Sequence, residues 1–265
     1  MSSFALSLIV VLGVLAAILG HLMLKYRAKA RQARDAGYGS PIPTVPLEAF
    51  DPIFARGPFG PTTAAEVRFL GEGDGVPGGA SDRETWILAT LAKRARTLFE
   101  FGTCTGKTTY LWGINSPADA TIATLTLAPE DLARYAKAEG DDREAERFAR
   151  DESAFTDFLY TGTPAAAKID QLFGDSKHFD TGPWAGRCDL IFVDGSHARS
   201  YVESDSRKAL TMVAPGGVIL WHDYRGPTGP TKDVFDALNA LSREVKLVRF
   251  AGTSLVAHRA PAARP

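Results

Sequence analysis

The segment FEFGTCTGKTT, from Phe99 to Thr109, ends in the Gly-Lys-Thr triplet of a phosphate-binding loop. Such a loop holds phosphates with its backbone N–H groups and needs four residues between its first glycine and its Gly-Lys pair. Here three residues separate Gly102 from Gly106, and the earlier position that the loop requires is Phe101. A nucleotide-dependent enzyme of this type is therefore the least favoured hypothesis.

The same residues fit a different strand-to-helix turn. Glu100 lies at the end of an apolar run, and Gly102 and Gly106 follow it. Glycines allow the backbone to approach a ligand closely, and an acidic side chain at the turn suits a positively charged ligand. The dinucleotide fingerprint Gly-x-Gly-x-x-Gly is absent, because Cys104 occupies its second glycine position.

Polar residues also follow three later apolar runs. They are Gly174, Asp175 and Ser176 after the first run, Asp194, Gly195, Ser196 and His197 after the second, and His222 and Asp223 after the third. Charges directly after apolar strands are costly to bury and usually bind something. These residues are therefore the candidates for a functional site.

The elements around these residues indicate an α/β fold. A capping box formed by Ser81 and Glu84 predicts the start of a helix, and strand-like and helix-like runs alternate from there. The last two runs, VKLVRF and TSLVAHR, read as an antiparallel pair. We therefore predict a doubly wound, Rossmann-like, mostly parallel seven-stranded sheet with an antiparallel edge. Ligands bind such sheets at the carboxyl ends of the strands.

The motifs FEFGTCTGKTT, LFGDS, DLIFVDGSHARSYVESD, APGGVILWHDY and GTSLV resemble those of class I S-adenosylmethionine-dependent methyltransferases. The resemblance is to the macrocin and cephalosporin-type O-methyltransferases (methyltransferase domain family 24) and covers roughly Ser81 to Arg259. It implies S-adenosylmethionine as the cofactor, a divalent metal (Mg or Mn) as an additional cofactor, and methylation of a hydroxyl. The expected acceptor is a small molecule or a lipid-linked glycan, not nucleic acid.

The resemblance also implies roles for single residues. The cofactor-binding candidates are Glu100, Gly102, Thr103, Gly106, Asp175 and Ser176. The catalytic candidates are Asp194 and His197, and His197 matches the position of a proposed general base. The candidate metal ligands are Asp194, His222 and Asp223.

Two positions depart from the family pattern. Thr126 stands where the family tends to place an acidic residue for the ribose hydroxyls, so Glu130 or Asp131 would have to substitute. His222 stands where some members have a glutamate, and an imidazole suits Mn²⁺ or Zn²⁺ better than Mg²⁺. These departures motivate an alternative hypothesis, a binding module that keeps the fold without catalysis. Asp205 is interpreted as part of a solvated helix face.

The N-terminal region predicts a membrane anchor. Residues 4–24 carry no charged side chain, and a helix of that length would span about 30 Å. A basic cluster follows, which favours an uncleaved anchor over a signal peptide and places the remainder in the cytoplasm. We therefore predict a single-pass anchor (4–24), a basic and Gly/Pro-rich linker (25–80) and a methyltransferase domain (81–260).

Composition excludes several classes of protein. The 265 residues carry a net charge of −1, so bulk electrostatics do not suggest nucleic acid as a partner. Two distant cysteines, Cys104 and Cys188, form neither a disulfide framework nor a zinc pattern. The charged stretch 129–160 is predicted to be helical, and it is a candidate for a lid over the acceptor, for a contact between copies of a homo-oligomer, or for a solvated surface.

Overall fold

Strands and crossover helices alternate along the chain, as a parallel sheet requires. The structure is a computed structural model and describes residues 12–27, 39–71, 79–142 and 144–263. It divides into two compact units, Met1–Ser40 and Pro41–Pro265, and the sheet belongs to the second.

The strands are β1 (Thr44–Val45), β2 (Arg56–Gly57), β3 (Gly60–Pro61), β4 (Thr97–Phe101), β5 (Thr121–Thr126), β6 (Ile169–Phe173), β7 (Cys188–Val193), β8 (Val213–Trp221), β9 (Val248–Phe250) and β10 (Val256–Arg259). The helices are α1 (12–27), α2 (Leu47–Phe50), α3 (Asp82–Ala92), α4 (Lys107–Asn115), α5 (Ala145–Glu152), α6 (Arg199–Met212) and α7 (Lys232–Leu241). Short 3-10 helices include Pro129–Arg134 and Ser176–His178.

The main sheet has eight strands in the order β1-β9-β10-β8-β7-β4-β5-β6. Strands β6, β5, β4, β7 and β8 pair in parallel, and β10 is antiparallel to both β8 and β9. The predicted doubly wound, mostly parallel sheet is confirmed. It has one strand more than predicted, because the two-residue β1 pairs with β9. The winding direction reverses between β4 and β7, which opens a crevice at their carboxyl ends.

Helices cover both faces of the sheet. Helices α3 and α4 pack against one face, and α6 and α7 against the other. Strand β4 shows how the alternation divides its side chains between the faces. Its Phe99 and Phe101 point to the α6 side, and Leu98 to the α3 side. Both faces of the strand are buried, and its side chains are apolar except for Thr97 and Glu100.

Two features near α3 fix the beginning of the domain, a cap at the start of the helix and packing of the preceding residues beside it. The predicted capping box is confirmed, since the Ser81 hydroxyl accepts from the Glu84 backbone and the Glu84 side chain accepts from the Ser81 backbone. The residues before it also pack onto the sheet unit, where Ile53 and Phe54 are buried beside α3. Phe59, at the tip of the β2–β3 hairpin, is exposed.

The predicted membrane anchor is wrong. Across the described part of the chain, no helix has the length and apolar character needed to cross a membrane. The prediction of a single-pass membrane protein with a cytoplasmic domain is corrected with it. Residues 4–11 of the predicted anchor and 28–38 and 72–78 of the predicted linker lie outside the described residues.

Candidate active site

A cavity opens at the carboxyl ends of β4 and β7, at the crevice in the sheet. We name it the cofactor cavity. Its lining includes four of the predicted site residues, Gly102, Asp175, Ser176 and Asp194. Thr126 lines it as well, whereas Glu130 and Asp131, the suggested substitutes for the missing acidic residue, do not.

The glycine turn after β4 is built by close backbone contacts. Gly102 has a φ of +98°, and a Cβ there would lie 2.2 Å from the carbonyl oxygen of Asp194. Gly106 has a φ of +77°, and a Cβ there would meet the Tyr160 ring at 2.8 Å. Gly106 therefore serves the packing of the turn and does not line the cavity. Lys107 donates to the backbone carbonyl of Gly71, which is no geometry for a phosphate clamp.

Glu100 and Thr103 are also brought to the turn but do not line the cavity. The Glu100 carboxylate is 2% exposed and accepts hydrogen bonds from the hydroxyls of Thr109 and Thr124. Burial raises the pKa of Glu100 to about 8, against the effect of these two hydrogen bonds. Thr103 lies 2.8 Å from Thr124 through their hydroxyl oxygens. These two predicted cofactor residues thus form a buried network behind the turn.

At the other end of the cavity, Asp175 is held by the chain itself. Its Oδ1 accepts from the Lys177 backbone N–H at 2.9 Å, and its Oδ2 accepts from the Tyr201 hydroxyl at 3.0 Å. The Tyr201 ring stacks on the Tyr135 ring, with centroids 4.7 Å apart and planes 3° apart. Tyr135 belongs to the charged stretch 129–160, so part of that stretch covers the cofactor cavity.

The three candidate metal ligands lie together. One ligand atom each from Asp194, His222 and Asp223 can be chosen so that all lie within 4.8 Å of one another. His222 Nδ1 is 2.9 Å from Asp194 Oδ1 and 3.6 Å from Asp223 Oδ1. Burial lowers the pKa of His222, but the two aspartates outweigh it and raise this pKa well above its usual range. The mixed nitrogen and oxygen donors fit a divalent transition-metal ion better than Mg²⁺.

His197 forms a pair with Asp223. Its Nε2 lies 2.8 Å from Asp223 Oδ2, while its buried Nδ1 has no hydrogen-bond partner among the described residues. Burial lowers the pKa of His197, and the bond to Asp223 outweighs this and raises it. Asp223 has a φ of +61°, a conformation that costs a non-glycine residue energy and is often found at functional sites.

The part of the chain that holds this site matches a known protein family. Residues 99–224 match the family model described as a methyltransferase domain. This match, over a little less than half of the chain, identifies a methyltransferase domain. The matched segment contains all of the predicted site residues.

Solved structures show similar folds at low identity. The chain is similar to the O-methyltransferase TomG from Streptomyces achromogenes (17% identity, TM-score 0.46, covering 69% of this chain and 82% of that chain). It is also similar to the methyltransferase PaMTH1 from Podospora anserina (16%, 0.48, 69% and 80%) and a putative O-methyltransferase from Klebsiella pneumoniae (16%, 0.45, 75% and 85%). No curated protein matches the chain.

The methyltransferase has a second cavity, which we name the acceptor cavity. It encloses about 990 Å³ of space open to solvent and is lined by His197, His222 and Asp223. It shares three lining residues with the cofactor cavity, namely Cys104, Glu152 and Asp194. The two cavities therefore meet beside Asp194.

Two carboxyl groups of the site were not recognised in the sequence. Glu84, read only as a capping residue, lies with its Oε2 3.5 Å from His222 Nε2. Glu152, from the charged stretch, lies where the cavities meet, and burial raises its pKa to about 8. No local pattern marks Glu152, because charged helices are usually solvated.

The interpretation of Asp205 as part of a solvated face is wrong. Asp205 is 2% exposed and lines the cofactor cavity. It lies on the same stripe of α6 as Tyr201 and Ala209, both buried. The four-residue spacing of these positions is the signal that would have placed Asp205 on the buried side of the helix.

Proposed function

We propose that this methyltransferase transfers the methyl group of S-adenosylmethionine to a hydroxyl oxygen of a small molecule bound in the acceptor cavity. One observation supports oxygen as the acceptor atom. The Asp223–His197 pair lies in that cavity with one imidazole nitrogen held by the carboxylate and the other without a partner. A hydroxyl must lose a proton to become a good nucleophile, and such a pair can take it.

The cofactor and the two residues of the pair have different roles in the proposed methyl transfer. The cofactor supplies an electrophilic methyl group and a neutral thioether leaving group. Asp223 holds His197 Nε2 and stabilises the imidazolium that forms when Nδ1 accepts the hydroxyl proton. As that proton moves to His197, the acceptor oxygen forms a bond to the methyl carbon and the carbon–sulfur bond breaks. The contact of the two cavities at Asp194 brings the acceptor to the methyl group.

Asp194, His222 and Asp223 are the residues that would hold a divalent metal. A bound ion would lower the pKa of the acceptor hydroxyl. The neighbouring aspartates raise the pKa of His222, so a proton would compete with the metal for this imidazole and metal binding would tighten as pH rises. A nitrogen ligand also predicts tighter binding of Mn²⁺ than of Mg²⁺.

The test is an acceptor screen with the purified full chain and S-adenosylmethionine, with and without Mn²⁺. Formation of S-adenosylhomocysteine and of an O-methylated product is expected. His197→Asn should slow turnover by about 10²- to 10⁴-fold and leave cofactor affinity unchanged. His258→Asn, on β10, where the ring contacts the Lys246 carbonyl and lines neither cavity, is the matched control and should retain full activity. N- or C-methylated products, or a His197→Asn variant with full activity, would contradict the proposal.

A further inference from the structure

A carboxyl group with one unpaired oxygen lines the cofactor cavity. Asp205 Oδ1 is buried and has no hydrogen-bond partner within the described residues. A buried acceptor without a partner loses its hydration and gains nothing in exchange, so such groups are rare and call for an explanation. A ligand that donates a hydrogen bond would explain this one.

The other carboxylate at this end of the cavity is already used. Each oxygen of Asp175 accepts a hydrogen bond, one from the Lys177 backbone and one from the Tyr201 hydroxyl. Asp175 therefore shapes the loop after β6, although the sequence resemblance names it as a cofactor-binding residue. Asp205 is the carboxylate that still has an unused acceptor.

The two ends of the cavity differ in chemistry. Tyr201 lies one helical turn before Asp205 and its ring stacks on that of Tyr135, a setting suited to a flat, neutral base. The opposite end has the glycine turn and two carboxyl groups, Glu152 and Asp194. The cationic amino-acid part of S-adenosylmethionine fits that end, which leaves the adenine for the Asp205 end.

We propose that Asp205 recognises the adenine of the cofactor by accepting a hydrogen bond from its exocyclic amine at Oδ1. The proposal rests on S-adenosylmethionine being the cofactor. Burial raises the pKa of Asp205 to about 7, against a hydrogen bond from Ser176. A donor from the ligand would stabilise the charged form of the carboxyl and remove part of the cost of burying it.

The experiment compares two ligands that differ at this one group. Titration calorimetry of the full chain measures binding of S-adenosylhomocysteine and of S-inosylhomocysteine, in which an oxygen replaces the amine. Wild type is expected to prefer the adenosyl ligand by about 10²-fold or more, because the 6-oxo group leaves the carboxylate unpaired. In Asp205→Asn the preference should fall at least about tenfold, since the amide can donate to the 6-oxo group.

Two further variants separate recognition from structure. Asp189 accepts from the backbone of Arg96 and Thr97 at the opposite end of the sheet, so Asp189→Asn should leave the preference unchanged. Asp205→Leu replaces the unpaired carboxyl with an apolar group. It should keep or raise the melting temperature of the free protein while weakening binding of S-adenosylhomocysteine, which a purely structural residue would not do.

Three results would overturn the proposal. One is an unchanged ligand preference in Asp205→Asn. Another is an equal loss of both ligands accompanied by a lower melting temperature, and the last is failure of both Asp205 variants to fold. If wild type binds neither ligand at millimolar concentration, the cofactor assignment itself fails, and that outcome is distinct from the others.

Discussion

Glu100 is a buried carboxyl group whose protonation affects stability. Its pKa is about 8 in the folded protein and about 4.3 in an unfolded chain. The folded state therefore holds the proton more tightly. The resulting stabilisation is complete below the unfolded pKa and is lost as pH rises through about 8.

Glu100→Gln is expected to reduce this pH dependence. The glutamine carbonyl can still accept from Thr109 and Thr124, but it does not ionise. Urea denaturation between about pH 5 and pH 9 should show a flatter free energy of unfolding for the variant than for wild type. Glu48→Gln, on the exposed side of α2, is the control. Parallel curves for Glu100→Gln and wild type would refute the argument.

At the scale of elements, the turn after β4 and the loop after β7 can approach only because one residue lacks a side chain. Gly102→Ala would place a Cβ against the Asp194 carbonyl and should cost more than about 3 kcal/mol and abolish cofactor binding. Gly140 has a similar φ of +94°, and no atom of the described residues lies within 4 Å of a Cβ there, so Gly140→Ala should cost only about 1 kcal/mol. Chemical denaturation measures both, and equal costs would mean that backbone strain alone matters.

Glu84 connects three elements that are distant in sequence. It accepts from Ser81 at the start of α3 and from Ser254 before β10, and it faces His222 after β8. Removing one partner of a buried charged pair leaves the other uncompensated, so Glu84→Ala should lower the free energy of unfolding by about 3–5 kcal/mol.

Ser81→Ala separates capping from this connection. It removes the helix cap and the hydroxyl bond to Glu84 but leaves the contacts of Glu84 with Ser254 and His222, and it should cost about 1 kcal/mol. Urea denaturation of the two variants tests the difference. A Glu84→Ala cost close to that of Ser81→Ala would show that Glu84 acts only as a capping residue.

At the scale of the whole molecule, the cofactor should bind the folded state and stabilise it. S-adenosylhomocysteine at about 100 times its dissociation constant should add about 2.7 kcal/mol, which corresponds to a rise in melting temperature of roughly 5–10 °C for a domain of this size. Scanning calorimetry measures the rise. ATP with Mg²⁺ is the comparison, and a rise with ATP but none with S-adenosylhomocysteine would revive the nucleotide-dependent hypothesis.

Much of the fold could be predicted because its signals are local. The alternation of apolar strands and helices and the box of Ser81 and Glu84 each depend on residues within one turn or one strand. The polar residues after the strands were also found, since parallel strands bring their carboxyl ends to one edge. Local reading failed at the N-terminus, where apolar character predicted a span that no described helix provides.

The sequence by itself determined the sheet, its carboxyl edge and the residues at that edge, because periodicity and strand direction depend on residues that are close together in the sequence. Only the tertiary structure decided which of those residues face the cavities. In that structure Glu100 lies behind the glycine turn, and both oxygens of Asp175 accept hydrogen bonds from the protein. The tertiary structure also brought Glu152 and Asp205 to the cofactor cavity from helices whose charges look solvated. Such roles depend on packing between distant segments, and no window of sequence contains both partners.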